Sequence, residues 1–162
     1  MAGIQLQVRM LDGFSIKSRS CSRAYHIRAH KNWLLIAYLF LNRDRAVPRS
    51  ELIALFQDSA SSTDPSRMLR NRLFRIRKYL RNLSESVGED IIIVTNDAAR
   101  WNPNIMVSTD VDDLKALCIK ASREPTPELK SRIKSLYGKG FLPMFHEVWL
   151  DELQQQLAAV AA

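Results

Sequence analysis

Residues 64–83 read DPSRMLRNRLFRIRKYLRNL, and this stretch is the most informative feature of the sequence. Apolar residues recur along it at intervals of four and three, which predicts a helix with one buried face. These residues are Leu69, Leu73, Ile76, Leu80 and Leu83. Asp64 followed by Pro65 predicts the start of the helix, because aspartate caps free N–H groups and proline suits the first helical position.

The opposite face of this helix is basic. Seven Lys and Arg residues and no acidic residue lie between Pro65 and Leu83. With 100° of rotation per residue, seven side chains point between about 80° and 200° away from Leu69 around the helix axis. The group consists of Arg67, Arg70, Asn71, Phe74, Arg77, Lys78 and Arg81, with Arg75 and Arg72 flanking it. Arginine can donate paired hydrogen bonds to phosphate or to the edge of guanine, and asparagine can bond to the edge of adenine. An apolar ring can pack against the methyl group of thymine. The face, with Arg75 included, is therefore predicted to bind DNA.

The charge of the whole chain supports a polyanionic partner. The 162 residues carry a net charge of +7, but residues 1–83 hold 16 basic and 5 acidic side chains, whereas the remainder holds 8 and 12. Such asymmetry predicts two modules, of which the first meets a polyanion. With 46% hydrophobic residues, the composition is that of a globular chain and excludes wholesale disorder.

Membrane and secreted classes are not favoured. The longest apolar run, Trp33 to Leu41, has nine residues, against the roughly 18 to 20 that a spanning helix needs. A basic helix lying on an anionic membrane remains an alternative, although the apolar stripe has the width of a packed seam. The N-terminus has no signal-peptide pattern, so we expect a cytoplasmic protein.

Enzymatic and metal-binding patterns are also weak. Cys21, His26 and His30 suggest zinc, but a fourth ligand is missing. The segment Gly138–Gly140 lacks the spacing of a phosphate-binding loop. We therefore expect no catalytic residue, no cofactor and no metal.

The remaining patterns predict strands, three helices and a hairpin, followed by more helices. Strands are expected at Ile4–Met10, around Phe14 and Ile16, and around Tyr25 and Ile27. Helices are expected at 32–41, from Pro48 to Gln57 and at 65–83. A hairpin with arms Ile91–Thr95 and Arg100–Trp101 follows them. This order is that of a winged helix-turn-helix, whose second helix enters the major groove while the hairpin follows the backbone. Arg100 of the hairpin joins the predicted DNA contacts.

Two stretches resemble a known family. The first half of the chain resembles the OmpR-type winged helix of SARP-type antibiotic regulatory activators. The segments that carry this resemblance are Leu11-Asp12-Gly13-Phe14, Leu34–Leu39, Arg49–Leu52 and the basic helix with Arg77-Lys78. The second half is similar to the opening of the bacterial transcriptional activator domain that follows the winged helix in this family. This similarity is carried by Asp110-Val111-Asp112, Leu136–Pro143 and Trp149. The expected fold is thus an α+β winged helix-turn-helix over 1–108, with an N-terminal antiparallel sheet, three helices and a C-terminal hairpin wing, followed over 109–162 by a helical segment.

The resemblance implies a function. It implies sequence-specific binding to double-stranded promoter DNA, including direct repeats, and recruitment of RNA polymerase through its sigma or alpha subunit. The polymerase-contact loop would contain Gln57, Asp58, Ser59, Ser61, Ser62 and Asp64. The family's activator domain is built from tetratricopeptide-like hairpins, about three of which are needed for a continuous core, so 109–162 is expected to be a truncated array.

Two function classes stay open. The first is a promoter-binding transcriptional activator, which the resemblance favours. The alternative is a winged-helix interaction and oligomerisation module with non-specific nucleic-acid binding alone. In either case the acidic, apolar second half makes a homodimer a candidate assembly.

Overall fold

The computed structural model describes residues 3–56 and 64–162, and they form an α+β protein. The elements in chain order are β1 (Leu6–Arg9), β2 (Ser15–Lys17), β3 (Ser22–Ala24), α1 (His30–Leu41), β4 (Val47–Pro48), α2 (Arg49–Phe56), α3 (Pro65–Tyr79), α4 (Arg81–Val87), β5 (Ile92–Val94), β6 (Ala98–Trp101), β7 (Val107–Thr109), α5 (Asp110–Arg123), α6 (Pro127–Tyr137) and α7 (Val148–Ala161).

The chain divides into two compact units. Unit 1 consists mainly of His26–Met106, together with Ser18–Cys21 and the stretch that ends at Gln5. Unit 2 consists of Leu6–Lys17, Ser22–Tyr25 and Val107–Ala162. The first strands of the chain therefore group with its last helices. The division into 1–108 and 109–162 stays a prediction from the sequence.

Unit 1 is built around α1. All residues from Trp33 to Phe40 are buried, which explains why this segment is apolar on every side. Trp33 packs edge-to-face on Tyr79 of α3, and Phe40 packs in the same manner on Trp101 of β6. Strands β4, β6 and β5 form an antiparallel sheet in that order.

A polar cluster joins α1 to α2 within unit 1. The Tyr38 hydroxyl donates to Glu51, and the Arg45 guanidinium donates to both Glu51 oxygens, at 3.1 and 2.6 Å. The hydrogen bonds from Arg45 and Tyr38 hold the pKa of Glu51 below its ordinary value. Burial raises the pKa of Tyr38, as does its bond to Glu51.

Unit 2 contains a mixed four-stranded sheet in the order β3-β2-β1-β7. Strands β1 and β2 are antiparallel, whereas β1 and β7 are parallel, with Leu6 opposite Val107. Asp110, the first residue of α5, fixes the end of β1 because its carboxylate accepts the N–H groups of Met10 and Leu11 at 2.8 and 2.9 Å.

A second connection in unit 2 depends on a glycine. The Asp12 carboxylate accepts the N–H group of Lys139 at 2.8 Å, beside Gly138. Gly138 has φ +56°, and a Cβ at this position would collide with the Asp12 side chain. Glycine is therefore required here on both counts, conformation and close approach.

The structure corrects several local predictions. The third strand lies at Ser22–Ala24 and not around Tyr25 and Ile27, because His26 caps a short 3₁₀ turn that contains Ile27. Pro48 belongs to β4, and α2 begins one residue later. Strand β7 was not predicted, since its three residues are defined by pairing with a strand about 100 residues earlier in the chain.

Candidate nucleic-acid interface

The predicted basic helix forms the candidate site. As expected, Asp64 caps α3, its Oδ1 accepting the Arg67 N–H at 3.1 Å, and Pro65 is the first helical residue. The predicted apolar stripe is also confirmed, because Leu69, Leu73 and Ile76 are buried. In unit 1 this face packs against α1 and α2, so α3 is held by its neighbours.

The opposite face carries the residues predicted to bind DNA. Eight of them are exposed: Arg67, Arg70, Asn71, Phe74, Arg75, Arg77, Lys78 and Arg81. Phe74 is notable because 65% of this apolar residue is exposed among cations. Arg72 differs from them, since it is half-buried and donates to the Asn32 side chain at 3.0 Å.

The helix is shorter than predicted. Leu80 leaves helical geometry, with φ −91° and ψ 6°, and α4 begins at Arg81. Arg81 nevertheless stays with the predicted group, because it lines the same shallow groove as Phe74, Arg77 and Lys78. The break thus ends α3 without dispersing the candidate residues.

Acidic residues also line this groove. Gly88 has the left-handed φ of +86° and ends α4, and the chain then runs beside the basic residues. The acidic members are Glu85, Glu89 and Asp90, which we call the acidic rim. Asp90 Oδ2 lies 3.2 Å from Arg77 Nη2. Helical periodicity did not identify this pair, although a glycine that ends a helix just before two acidic residues is a signal for it.

The hairpin is attached to the start of α2. Arg49 donates its backbone N–H to the Asp97 carbonyl at 2.9 Å, and its guanidinium donates to the Thr95 carbonyl at 2.9 and 3.2 Å. Asn96 and Asp97, at the tip, are exposed. Arg49 was not among the predicted site residues, and its sequence neighbours give no sign of this role.

Arg100 occupies a different environment from the residues of α3. It lies half-buried in β6, where Nη2 donates to the Arg43 carbonyl at 3.4 Å and Nε is buried without a hydrogen-bond partner. Its assignment as a DNA contact stays a prediction.

The predicted polymerase-contact loop is described only at its end. Gln57, Asp58, Ser59, Ser61 and Ser62 lie outside the described residues. Asp64 is exposed, and its carboxylate is engaged in capping α3.

The structure also locates two of the three residues of the zinc pattern, His26 and Cys21. His26 accepts the Arg28 N–H at 3.1 Å through Nδ1, and Cys21 Sγ lies 3.3 Å from the Ser18 hydroxyl. Within 3–56 and 64–162, no group of three or more His, Cys, Asp or Glu side chains is arranged to hold a metal ion. In the same residues, no helix has the length and apolar character to cross a membrane.

No protein-family model, curated protein or solved structure matches this chain.

Proposed function

We propose that this protein is a transcriptional regulator that binds double-stranded promoter DNA through the exposed face of α3. The observation that carries the proposal is the row of exposed basic residues on a helix that contains no acidic residue. Because the buried face of α3 packs within unit 1, these cations belong to a fixed surface. A fixed cationic helix suits the phosphate backbone and groove of a duplex.

A winged helix-turn-helix arrangement is part of the proposal. Helices α2 and α3 and the β5–β6 hairpin all belong to unit 1, in the chain order of that motif. The attachment of Arg49 to the hairpin turn supports a defined position for the wing relative to α2. We infer that α3 enters the major groove and that the hairpin lies near the backbone.

Sequence recognition distinguishes the two candidate functions. Asn71 and Phe74 are exposed among the cations, and both side chains are suited to base edges, which favours a specific reader. A specific regulator is expected to prefer its promoter over random duplex by roughly 10³ or more, whereas the alternative interaction module would show no such preference.

Charge-matched variants test the interface. Replacing Arg70 and Lys78 by glutamine is expected to weaken binding to random duplex and to lower the salt slope by about two units. The control replaces Lys130 and Arg132, two exposed residues of α6, and removes the same charge. Equal losses in both double variants would refute α3 as the interface.

Activation is proposed to use the segment between α2 and α3. Replacing Asp58 by alanine is expected to leave promoter affinity near that of the wild type while transcription in vitro with RNA polymerase decreases. A variant that lost affinity and activation together would remove the support for a polymerase contact.

The proposed assembly on DNA is a pair of protomers bound to direct repeats. Sedimentation of the protein with and without DNA measures whether this pair forms.

A further inference from the structure

The groove beside α3 brings opposite charges together. Arg77, Lys78 and Arg81 line it together with the acidic rim of Glu85, Glu89 and Asp90. All six residues are exposed. A duplex that approaches these three cations therefore also meets three carboxylates.

The ion pair within the groove is geometrically weak. Arg77 and Asp90 make a single N–O contact of 3.2 Å, and their side chains are 45% and 64% exposed. A single contact lacks the two parallel bonds of a bidentate arginine–carboxylate pair. Because water and salt screen exposed pairs, this contact adds little to stability and opens readily.

The same contact has a larger consequence for an anionic ligand. The Asp90 carboxylate contacts Nη2 of Arg77 and places a negative charge beside that guanidinium. A phosphate that bonds to the same N–H group of Nη2 must therefore displace Asp90. A single exposed contact fixes the Arg77 side chain less firmly than a bidentate or buried contact, so competition outweighs any orientation of Arg77 in favour of DNA.

We propose that Asp90 competes with DNA phosphate for Arg77 and thereby restrains the affinity of α3 for the backbone of any duplex. This inference rests on the proposed DNA-binding function and assigns an antagonist within the same surface. The restraint acts on phosphate contact, so it affects all sequences alike. Salt screens the attraction between Asp90 and Arg77, so the restraint on DNA binding is greatest at low salt.

The test compares two variants of the full chain that lose the same charge. Asp90→Asn removes the partner of Arg77, whereas Glu89→Gln removes a carboxylate that lines the groove but does not bond Arg77. Binding to a random 20-bp duplex is measured by fluorescence anisotropy from about 50 to 300 mM salt. Asp90→Asn is expected to tighten binding by up to about fivefold at low salt and to steepen the salt slope by about one unit.

The control and the rescue make the expectation specific. Glu89→Gln is expected to tighten binding less and to leave the slope unchanged, and Asp90→Glu is expected to behave as the wild type. In an Arg77→Gln background, Asp90→Asn should no longer change the slope. Equal effects of Asp90→Asn and Glu89→Gln would overturn the proposal, since bulk charge would explain both, and weaker binding by Asp90→Asn would overturn it by showing orientation. Absence of duplex binding by the wild type at low salt would refute the DNA-binding function itself.

Discussion

Neighbouring residues of α3 are expected to differ in what they recognise. Asn71 lies toward the N-terminal half of the helix and has a side chain suited to an adenine edge, while Lys78 lies near the C-terminal end and presents a point charge. Exposure alone does not separate them, because both are exposed. The chemistry of the side chains does.

We predict different signatures for Asn71→Ala and Lys78→Gln. Asn71→Ala should cost about 1 to 3 kcal/mol on a selected site and relax the preference at one base position. Lys78→Gln should weaken binding to all sequences and lower the salt slope by about one unit. Anisotropy titrations with selected and random duplexes measure both. Equal losses on the two duplexes for both variants would contradict the assignment.

Asp110 makes a titration prediction possible. Burial raises the pKa of its carboxyl above the ordinary value of 3.8, and the N–H groups of Met10 and Leu11 oppose this shift only in part. A raised pKa means that the folded protein binds the proton more tightly than the unfolded chain. The stability contributed by this group is therefore full below 3.8 and is lost as pH rises through the raised pKa.

Urea unfolding of the wild type and Asp110→Asn checks this sign. The difference in unfolding free energy, wild type minus variant, is expected to fall as pH rises from the ordinary carboxyl pKa of 3.8 through the raised pKa, and then to become constant. Asparagine shifts the difference by a constant amount because it does not titrate. A difference that increased with pH would mean that the N–H donors outweigh burial.

At the scale of elements, the start of α3 depends on one side chain. Asp64→Ala removes the acceptor for the Arg67 N–H and is expected to lower the free energy of unfolding by about 1 kcal/mol. Asp64→Asn is the matched control, because asparagine caps about as well but carries no charge. Denaturant unfolding compares the three proteins, and equal losses in both variants would attribute the effect to charge and not to capping.

The sequence predicted elements well where their defining contacts are local. The α3 stripe, its Asp64 cap and the hairpin around Asn96 each depend on residues close in sequence. It failed at Leu80, where the same apolar spacing continues through a break in the helix, and at Val107–Thr109, whose partner is about 100 residues away. The basic face was predictable from periodicity, whereas the Arg77–Asp90 pair required the turn at Gly88 to be known.

For the whole molecule, the chain segments that make up each unit determine where the chain can be cut into folded fragments. Unit 1 has its own packed aromatic pairs, Trp33–Tyr79 and Phe40–Trp101, within one stretch of chain. The sheet of unit 2 combines the first three strands of the chain with β7, and Leu6, Val8 and Ile16 in it are buried. A cut after Thr109 would keep those strands but remove α5 to α7.

We predict that residues 26–106 fold cooperatively and bind random duplex within about threefold of the full chain, since the α3 face and its support in unit 1 are retained. Residues 1–109 should instead bind a hydrophobic dye and aggregate, because their apolar strands lose the rest of unit 2. Circular dichroism, dye fluorescence and anisotropy test both fragments. A well-folded 1–109 beside an unfolded 26–106 would contradict the division into units.

The pairing of β1 with β7 has a consequence during synthesis. Met10 and Asp110 are 100 residues apart, so at about 5 to 20 residues per second the first strands wait roughly 5 to 20 s for the segment that completes their sheet. The main segment of unit 1, His26–Met106, is translated within that interval. The nascent chain therefore carries an incomplete sheet with an unpaired β1 edge, which is a site for misassembly or chaperone capture on the ribosome.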